Sequence, residues 1–373
     1  MISSIIVFII AFLSLIALMI IHEFGHFIIA KKFGVRVDEF GIGYPPRIFG
    51  KKIGETIYSL NWLPLGAFVR IYGEEGDADE YRSFSGLKIW KRVLIIIGGV
   101  VAFWIAAIII FSAMFMMGTD LPISDGPVDG LKNVRVMIVE VLDNSAAYNS
   151  GLNAGDVVIG IKVNGAETAI SEISQFKEIT SANRGKEIKL EIIRQNQPIE
   201  ISLTPSESDA SPVGVGLQRM ATLVEKYPWY WAPVQGIIFT WQTTVSSVAG
   251  LFSIFVNLFS GKGIGGQAEF AGPLGITVFL ANAASYGIGF FLYFIGMISV
   301  FVAVFNLFPI PALDGGKLIF LLIEKIKGRP VSVKVEQRIT AVCFFILIAL
   351  SIFITIKFDI PRFSEFLKSS LSR

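Results

Sequence analysis

The sequence predicts a polytopic α-helical membrane protein of about four spans, with a small membrane-associated β-sheet and one extracytoplasmic β-rich domain. Three observations predict it. Apolar residues make up 53% of the 373 residues, charged residues only 17%, and the mean hydropathy is +0.65. Four apolar segments are long enough to cross a bilayer: about 3–29, 91–117, 286–308 and 339–357. Alternating, turn-punctuated stretches are confined to about 40–75 and 130–205.

The first span carries no lysine or arginine through residue 30. It lacks the basic leader of a cleavable signal peptide and is too long for one. Residues 40–75 follow, rich in glycine and proline. Their short apolar runs, Thr56–Leu60 and Ala67–Ile71, read as a hairpin or small sheet. The second span completes the first half of a membrane core, 1–117. Residues 118–210 read as a soluble module with strands at Val134–Val141 and Ile188–Ile193 and turns at Gly155-Asp156 and Asn164-Gly165. Residues 211–285 read as a linker. Its apolar stretch 234–259 is interrupted by Gln235, Gln242, Thr243, Thr244 and Ser246, which suits a helix lying on the membrane better than one crossing it. Residues 286–373 hold the last two spans.

Positive charge sets the orientation. Lys31, Lys32, Arg36, Arg47, Lys51, Lys52, Lys88, Lys91 and Arg92 follow the first span. Lys317, Lys325, Lys327, Arg329, Lys334 and Arg338 follow the third. Both segments are expected in the cytoplasm, with both termini and the 118–285 segment outside. A net charge of +2 gives no sign of nucleic-acid binding. A single cysteine, Cys343, excludes an intramolecular disulfide.

The only two histidines stand in one cluster, His22-Glu23-Phe24-Gly25-His26. This is the H-E-x-x-H pattern of zinc proteases. Positions i and i+4 of a helix differ by about 40° in rotation and about 6 Å in rise, so both imidazoles leave one face. Imidazole suits zinc, and a catalytic zinc keeps one position for water. Glu23, beside the first ligand, can take a proton from that water. A chance occurrence is the bland alternative, but ionisable residues in a span are costly and functional by default.

A catalytic zinc takes three protein ligands, and no third histidine exists. Cys343 lies in an apolar run and reads as a buried small hydrophobe. The third ligand is then a carboxylate at matching depth. His22 comes after about 20 helical residues, near the cytoplasmic face. The third span enters from the same side and ends near Phe308. Asp314, just beyond it, is the sole acidic residue between Phe270 and Ile323. It is also a candidate N-cap or turn residue, since Asp-Gly marks turns.

The two motifs together resemble the site-2 protease family, and most of all its bacterial sigma-E-regulating branch. His22-Glu-Phe-Gly-His26 pairs with Asn306-Leu-Phe-Pro-Ile-Pro-Ala-Leu-Asp314-Gly-Gly316. Further matches are Glu39-Phe-Gly-Ile-Gly43, Pro64-Leu-Gly66-Ala-Phe-Val69 and Ala271-Gly-Pro-Leu-Gly-Ile276. The resemblance implies a metalloendopeptidase of the bacterial cytoplasmic membrane that holds one Zn2+ per chain and cuts transmembrane segments of single-span membrane proteins. Anti-sigma factors and remnant signal peptides are two such substrate types. It implies His22, His26 and Asp314 as ligands, Glu23 as catalytic base, and Asn306 in contact with substrate backbone. Gly66, Ala67, Phe68 and Val69 become a candidate substrate-binding edge, along which an unwound peptide adds as a strand. Two departures stand out. The second span reads Gly98-Gly-Val-Val-Ala102-Phe103, without the family's asparagine. Lys317 stands where histidine or arginine is usual.

Residues 145–165 resemble part of a PDZ domain, a fold that captures extended peptides at a sheet edge. The module is expected to bind a peptide or a substrate's outer domain, or to exclude bulky ones. The alternative function is an idle membrane scaffold that binds peptides through this module. A metal transporter is disfavoured, because such folds show internal repeats, and none is evident here.

Overall fold

The computed structural model describes residues 2–74, 81–118, 120–126, 132–142, 144–194, 197–207, 211–222, 226–260, 271–285 and 287–371. Helix α1 (Ile2–Lys32) leads into two long strands, β1 (Val37–Ile53) and β2 (Thr56–Ile71), and then α2 (Ile89–Met117). A β-rich stretch follows: β3 (Asp120–Ile123), β4 (Lys132–Val141), α3 (Ala146–Asn149), β5 (Val157–Val163), β6 (Ala166–Ala169), α4 (Ile173–Ala182), β7 (Ile188–Arg194), β8 (Gln197–Leu203) and β9 (Val215–Thr222). The chain ends in helices α5 (Ala232–Phe259), α6 (Pro273–Ser285), α7 (Ile288–Asn306), α8 (Asp314–Lys327), α9 (Val333–Ile354) and α10 (Ile360–Leu371). A π-helical turn, Thr355–Asp359, joins the last two.

Two compact units result. The first holds Met1–Ala113, Tyr230–Ala284 and Phe291–Arg373; the second holds Met114–Trp229 and Ser285–Phe290.

In the first unit, five helices among the described residues are long and apolar enough to cross a membrane: Ile5–Lys32, Ile89–Met117, Ala232–Ile254, Ile288–Asn306 and Val333–Lys368. The sequence reading counts four. The fifth is the stretch whose polar residues suggested an interfacial helix. Of those residues the Thr244 hydroxyl donates to Thr240 O at 2.7 Å and Gln235 is half-buried, whereas Gln242 and Ser246 are exposed. Thr240 and Thr243 are buried. At Gly236 a Cβ would stand 2.8 Å from Ile108 O, so α5 lies directly on α2. Along α9 no residue is buried, and Phe344, Phe345, Ile346 and Phe353 are exposed. Lipid is the medium such a surface fits.

Small residues let the helices touch, as membrane packing favours. Ala11, Val100, Phe103, Ala106, Leu280, Ile295 and Ala303 form a core from α1, α2, α6 and α7. The buried carboxylate of Asp359 accepts the N–H of Gly272 at 3.0 Å, and Cβ atoms at Gly272 or Gly275 would strike it. The start of α6 is thereby pinned to the last helix.

The hairpin β1–β2 is folded over on itself. Phe40 pairs with both Tyr58 and Val69, Gly41 with Ser59 and Phe68, and Ile42 with Leu60 and Ala67. Residues 37–44 therefore lie between two parts of β2, and 66–71 forms an outer edge. Buried Glu39 braces the interior, accepting from the Ser59 hydroxyl at 2.6 Å and Arg47 at 2.7 Å.

The second unit is a seven-stranded antiparallel sheet in the order β3-β9-β4-β5-β7-β8, with β6 beside β5. Asn164 and Gly165, both at positive φ, make the β5–β6 turn. Its core is Val136, Ile138, Val158, Ile161, Phe176, Leu190 and Ile192 with their neighbours. The sheet runs past the boundary at residue 210 expected from sequence. Strand β9, inside the presumed linker, pairs along all of β4. The polar stretch 206–211 resembles a boundary in the sequence, but the unit continues past it to Trp229.

Candidate metal centre

His22 and His26 leave the same face of α1, with their Nε2 atoms 3.2 Å apart. Asp314 Oδ2 lies 3.5 Å from each. Tetrahedral zinc with ligands at about 2.0–2.1 Å requires ligand atoms about 3.3 Å from one another, so the three atoms match one face of that tetrahedron. Asp314 Oδ2 is buried and accepts no hydrogen bond. Such a carboxylate oxygen calls for a cation. Nδ1 of His26 donates to Ile95 O at 2.9 Å, which leaves Nε2 free as a ligand. The donor set and its spacing fit zinc.

Asp314 lies at a helix start, one residue past the N-cap position offered by the sequence: it opens helix α8, with Leu313 as the N-cap. A carboxylate in the first turn also suits the helix dipole. The preceding loop folds back onto that turn. A Cβ at Gly315 would sit 2.2 Å from Phe308 O, and one at Gly316 2.3 Å from Ile310 O. The two glycines are thus required by backbone contact.

Helix α2 supplies the wall behind the imidazoles. A Cβ at Gly25 would meet Gly98 O at 2.2 Å, and one at Gly99 would meet His26 Nε2 at 2.3 Å. Phe103 stacks on His22 with ring centroids 4.6 Å apart. The Gly-Gly-Val-Val-Ala-Phe variation in this span therefore has a local role, which spacing alone did not reveal.

Glu23 has an oxygen within 4.8 Å of the imidazole nitrogens. Its Oε2 accepts the backbone N–H of Val69 at 3.0 Å. Of the candidate edge residues, Ala67 is buried, Phe68 stacks on Tyr44, and a Cβ at Gly66 would touch Met19 of α1. The strand segment 66–69 consequently runs beside the carboxylate. Asn306 is the last residue of α7 and is half-buried. Lys317 pairs with Glu74 at 2.5 Å, and Arg92 forms an ion pair with Glu324, so α8 is tied both to the end of the hairpin and to α2. Phe24, Phe27, Phe40 and Tyr58 line an apolar cavity of about 280 Å³ between α1 and the hairpin.

Comparison with known proteins places these features in a family. The model of peptidase family M50 matches residues 9–350. A provisionally named zinc metalloprotease of Clostridium perfringens is 33% identical over 347 residues, covering 93% of this chain and 96% of its own. A similarly named protein of Nostoc sp. is 29% identical, covering 92% and 93%. The regulator of sigma-E protease of Escherichia coli is 28% identical over 441 residues, covering 90% and 95%.

Proposed function

Because the chain belongs to peptidase family M50 and is a zinc metalloprotease with several membrane-spanning helices, we propose that it cleaves peptide bonds within transmembrane segments of single-span membrane proteins. In this reading His22, His26 and Asp314 hold the zinc and Glu23 is the general base. The observation that carries it is the convergence of those three ligand atoms at 3.2–3.5 Å beside a carboxylate seated on a strand edge.

Zinc, when bound, supplies a Lewis acid that polarises a carbonyl and lowers the pKa of water to roughly 7. The chain's own residues do the rest. Glu23 receives the water's proton on its carboxylate and returns it to the leaving amine. The edge at Gly66, Ala67, Phe68 and Val69 holds an unwound substrate extended, its backbone pairing as an added strand. Asn306 contacts the substrate backbone. Phe103 and Gly99 hold the imidazoles in place from behind.

The membrane is the bacterial inner membrane, crossed by four helices with α5 lying at its surface, so that both termini are outside and the zinc is toward the cytoplasmic face. The lysine- and arginine-rich segments after residues 30 and 316 support that orientation. The β-rich unit is PDZ-like and acts on the substrate's outer portion, by binding it or by refusing bulky domains.

The test is cleavage of a fluorescent single-span substrate by protein reconstituted in liposomes. The parent protein cuts within the span. Glu23→Gln keeps its zinc, by elemental analysis, and loses turnover about hundredfold or more. Substantial turnover by the zinc-loaded variant would overturn the general-base assignment.

A further inference from the structure

The cavity between α1 and the hairpin faces away from the metal centre. At about 100° per residue, Phe24 stands about 160–200° around α1 from the two imidazoles. Phe27 and Lys31, three and seven residues on, share its flank. Across the cavity, Tyr58 and Leu60 pair with Phe40 and Ile42 on the side opposite to Val69 and Ala67. Phe49 lies one strand further out, paired with Leu60. With strands about 4.8 Å apart, this wall is about 10–14 Å from the edge beside Glu23. A substrate strand on that edge does not reach the cavity.

The lining suits a hydrocarbon chain. Its walls are aromatic and aliphatic side chains, and the Ser59 hydroxyl is committed to Glu39 at 2.6 Å. A buried water needs two to four polar partners, which such walls do not offer. A volume of about 280 Å³ is at the lower end for small-molecule pockets and leaves room for one slender chain. The mouth is apolar too, since Phe24, Phe49 and Leu60 are 48%, 64% and 48% exposed. Exposed Ile21 and Ile28 continue the same flank of α1, a helix long and apolar enough to cross a membrane. In a bilayer such a stripe is covered by lipid chains, so lipid is what the mouth meets.

Cations stand at one end. Lys51 is directly opposite Tyr58 in the β1–β2 ladder, on the face that carries Phe49 and Leu60. It is exposed, and among the described residues it has no ion-pair partner. Lys31 holds its ammonium 6.0 Å from the centre of the Phe27 ring while pairing with Glu55 at 2.5 Å. Arg82 pairs with the same carboxylate. One carboxylate thus faces two cations, and Lys51 adds a third. An apolar cleft with excess positive charge at one end is complementary to an acyl chain with an anionic head.

We infer that the cavity between α1 and the β1–β2 hairpin binds an anionic glycerophospholipid, with one acyl chain between Phe24 and Leu60 and the phosphate beside Lys51. Tyr58, opposite Lys51, supplies the kind of amphipathic ring that lies at headgroup level. The chain fills the gap between α1 and the outer wing of the hairpin, so the lipid braces one on the other. The site is independent of the proteolytic chemistry, and either reading can fail alone.

The experiment is native mass spectrometry of the full chain in detergent with equal amounts of phosphatidylglycerol and phosphatidylcholine of identical chains. The parent protein retains one lipid, with phosphatidylglycerol favoured at least fivefold. Lys51→Gln lowers that preference at least threefold. Lys327→Gln removes an exposed cation at the end of α8 and leaves the preference unchanged. Leu60→Trp fills the cavity and lowers the adduct with either lipid at least threefold, with folding checked by melting temperature. The lysine variants, at exposed positions, test the site even where Leu60→Trp does not fold. A parent-like preference in Lys51→Gln overturns the inference. So does absence of preference in the parent, an equal loss in Lys327→Gln, or full retention of lipid by folded Leu60→Trp. Cleavage of the liposome substrate, measured separately, reports the protease reading.

Discussion

The backbone N–H of Val69 donates to the carboxylate of Glu23 at 3.0 Å. A strand edge and a proposed general base are therefore joined by one hydrogen bond. The carboxylate is aimed by main chain, which no substitution at position 69 except proline removes. A substrate strand lying on the same edge would come beside the group that takes the proton. Position along the edge and position for chemistry are set together.

Gly99→Ala should weaken zinc binding while the protein remains folded. The added Cβ would stand 2.3 Å from His26 Nε2 and 2.6 Å from His22 Cε1, so the rings must move. Displacing supported ligands costs about tenfold to hundredfold in metal affinity. Zinc competition with a chromophoric chelator measures it. Unchanged affinity would mean that α2 can retreat.

Asp314→Asn should reduce zinc occupancy, because the amide is a weaker ligand and leaves the buried site without its anion. Elemental analysis of folded protein reads the outcome. Full occupancy with full activity would point to another third ligand. Gly315→Ala should give a similar loss, since it drives the first turn of α8 off the backbone of Leu307 and Phe308.

Glu74→Lys should lower kcat/KM about fivefold by setting two cations against each other where Lys317 now pairs at 2.5 Å. Adding Lys317→Glu should restore at least half of the loss. The pair is partly exposed, so a coupling of about 1 kcal/mol is expected. Absence of rescue would mean that each residue acts alone.

Glu55, at the turn between β1 and β2, is held at about pKa 2 by hydrogen bonds from Arg82 and Lys31, against an ordinary value of 4.5. A depressed carboxyl contributes stability above its unfolded value and loses it as pH falls toward the folded one. Glu55→Gln should therefore lower the melting temperature at pH 7. The difference should fade between pH 4.5 and pH 2. The group is about one-third exposed, and solvent screening limits the effect to about 0.5 kcal/mol. A difference that persists at pH 2 would assign the effect to packing.

The proposed metal ligands are legible in the sequence because scarcity points to them: two histidines in the chain and one carboxylate at the right depth. The sequence did not reveal what supports them. Gly99, Phe103 and Ile95 act through contacts between α1 and α2, and apolar spans look alike until they are packed. Asp314-Gly-Gly read as a turn because the fold-back of residues 307–311, which demands those glycines, is a tertiary contact. Strand β9 was absorbed into a linker because its glycines and preceding prolines imitate one.

Two proposed ligands are placed near the beginning of the chain and the third near its end. During synthesis, His22 and His26 can enter the bilayer long before residue 314 has been translated. A nascent chain holds only two of the three ligands until α8 forms and its glycine turn closes on the preceding loop. The order of the residues therefore delays the proposed site until residue 314 has been made, so a chain released by a stalled ribosome before that point lacks one of its three proposed ligands.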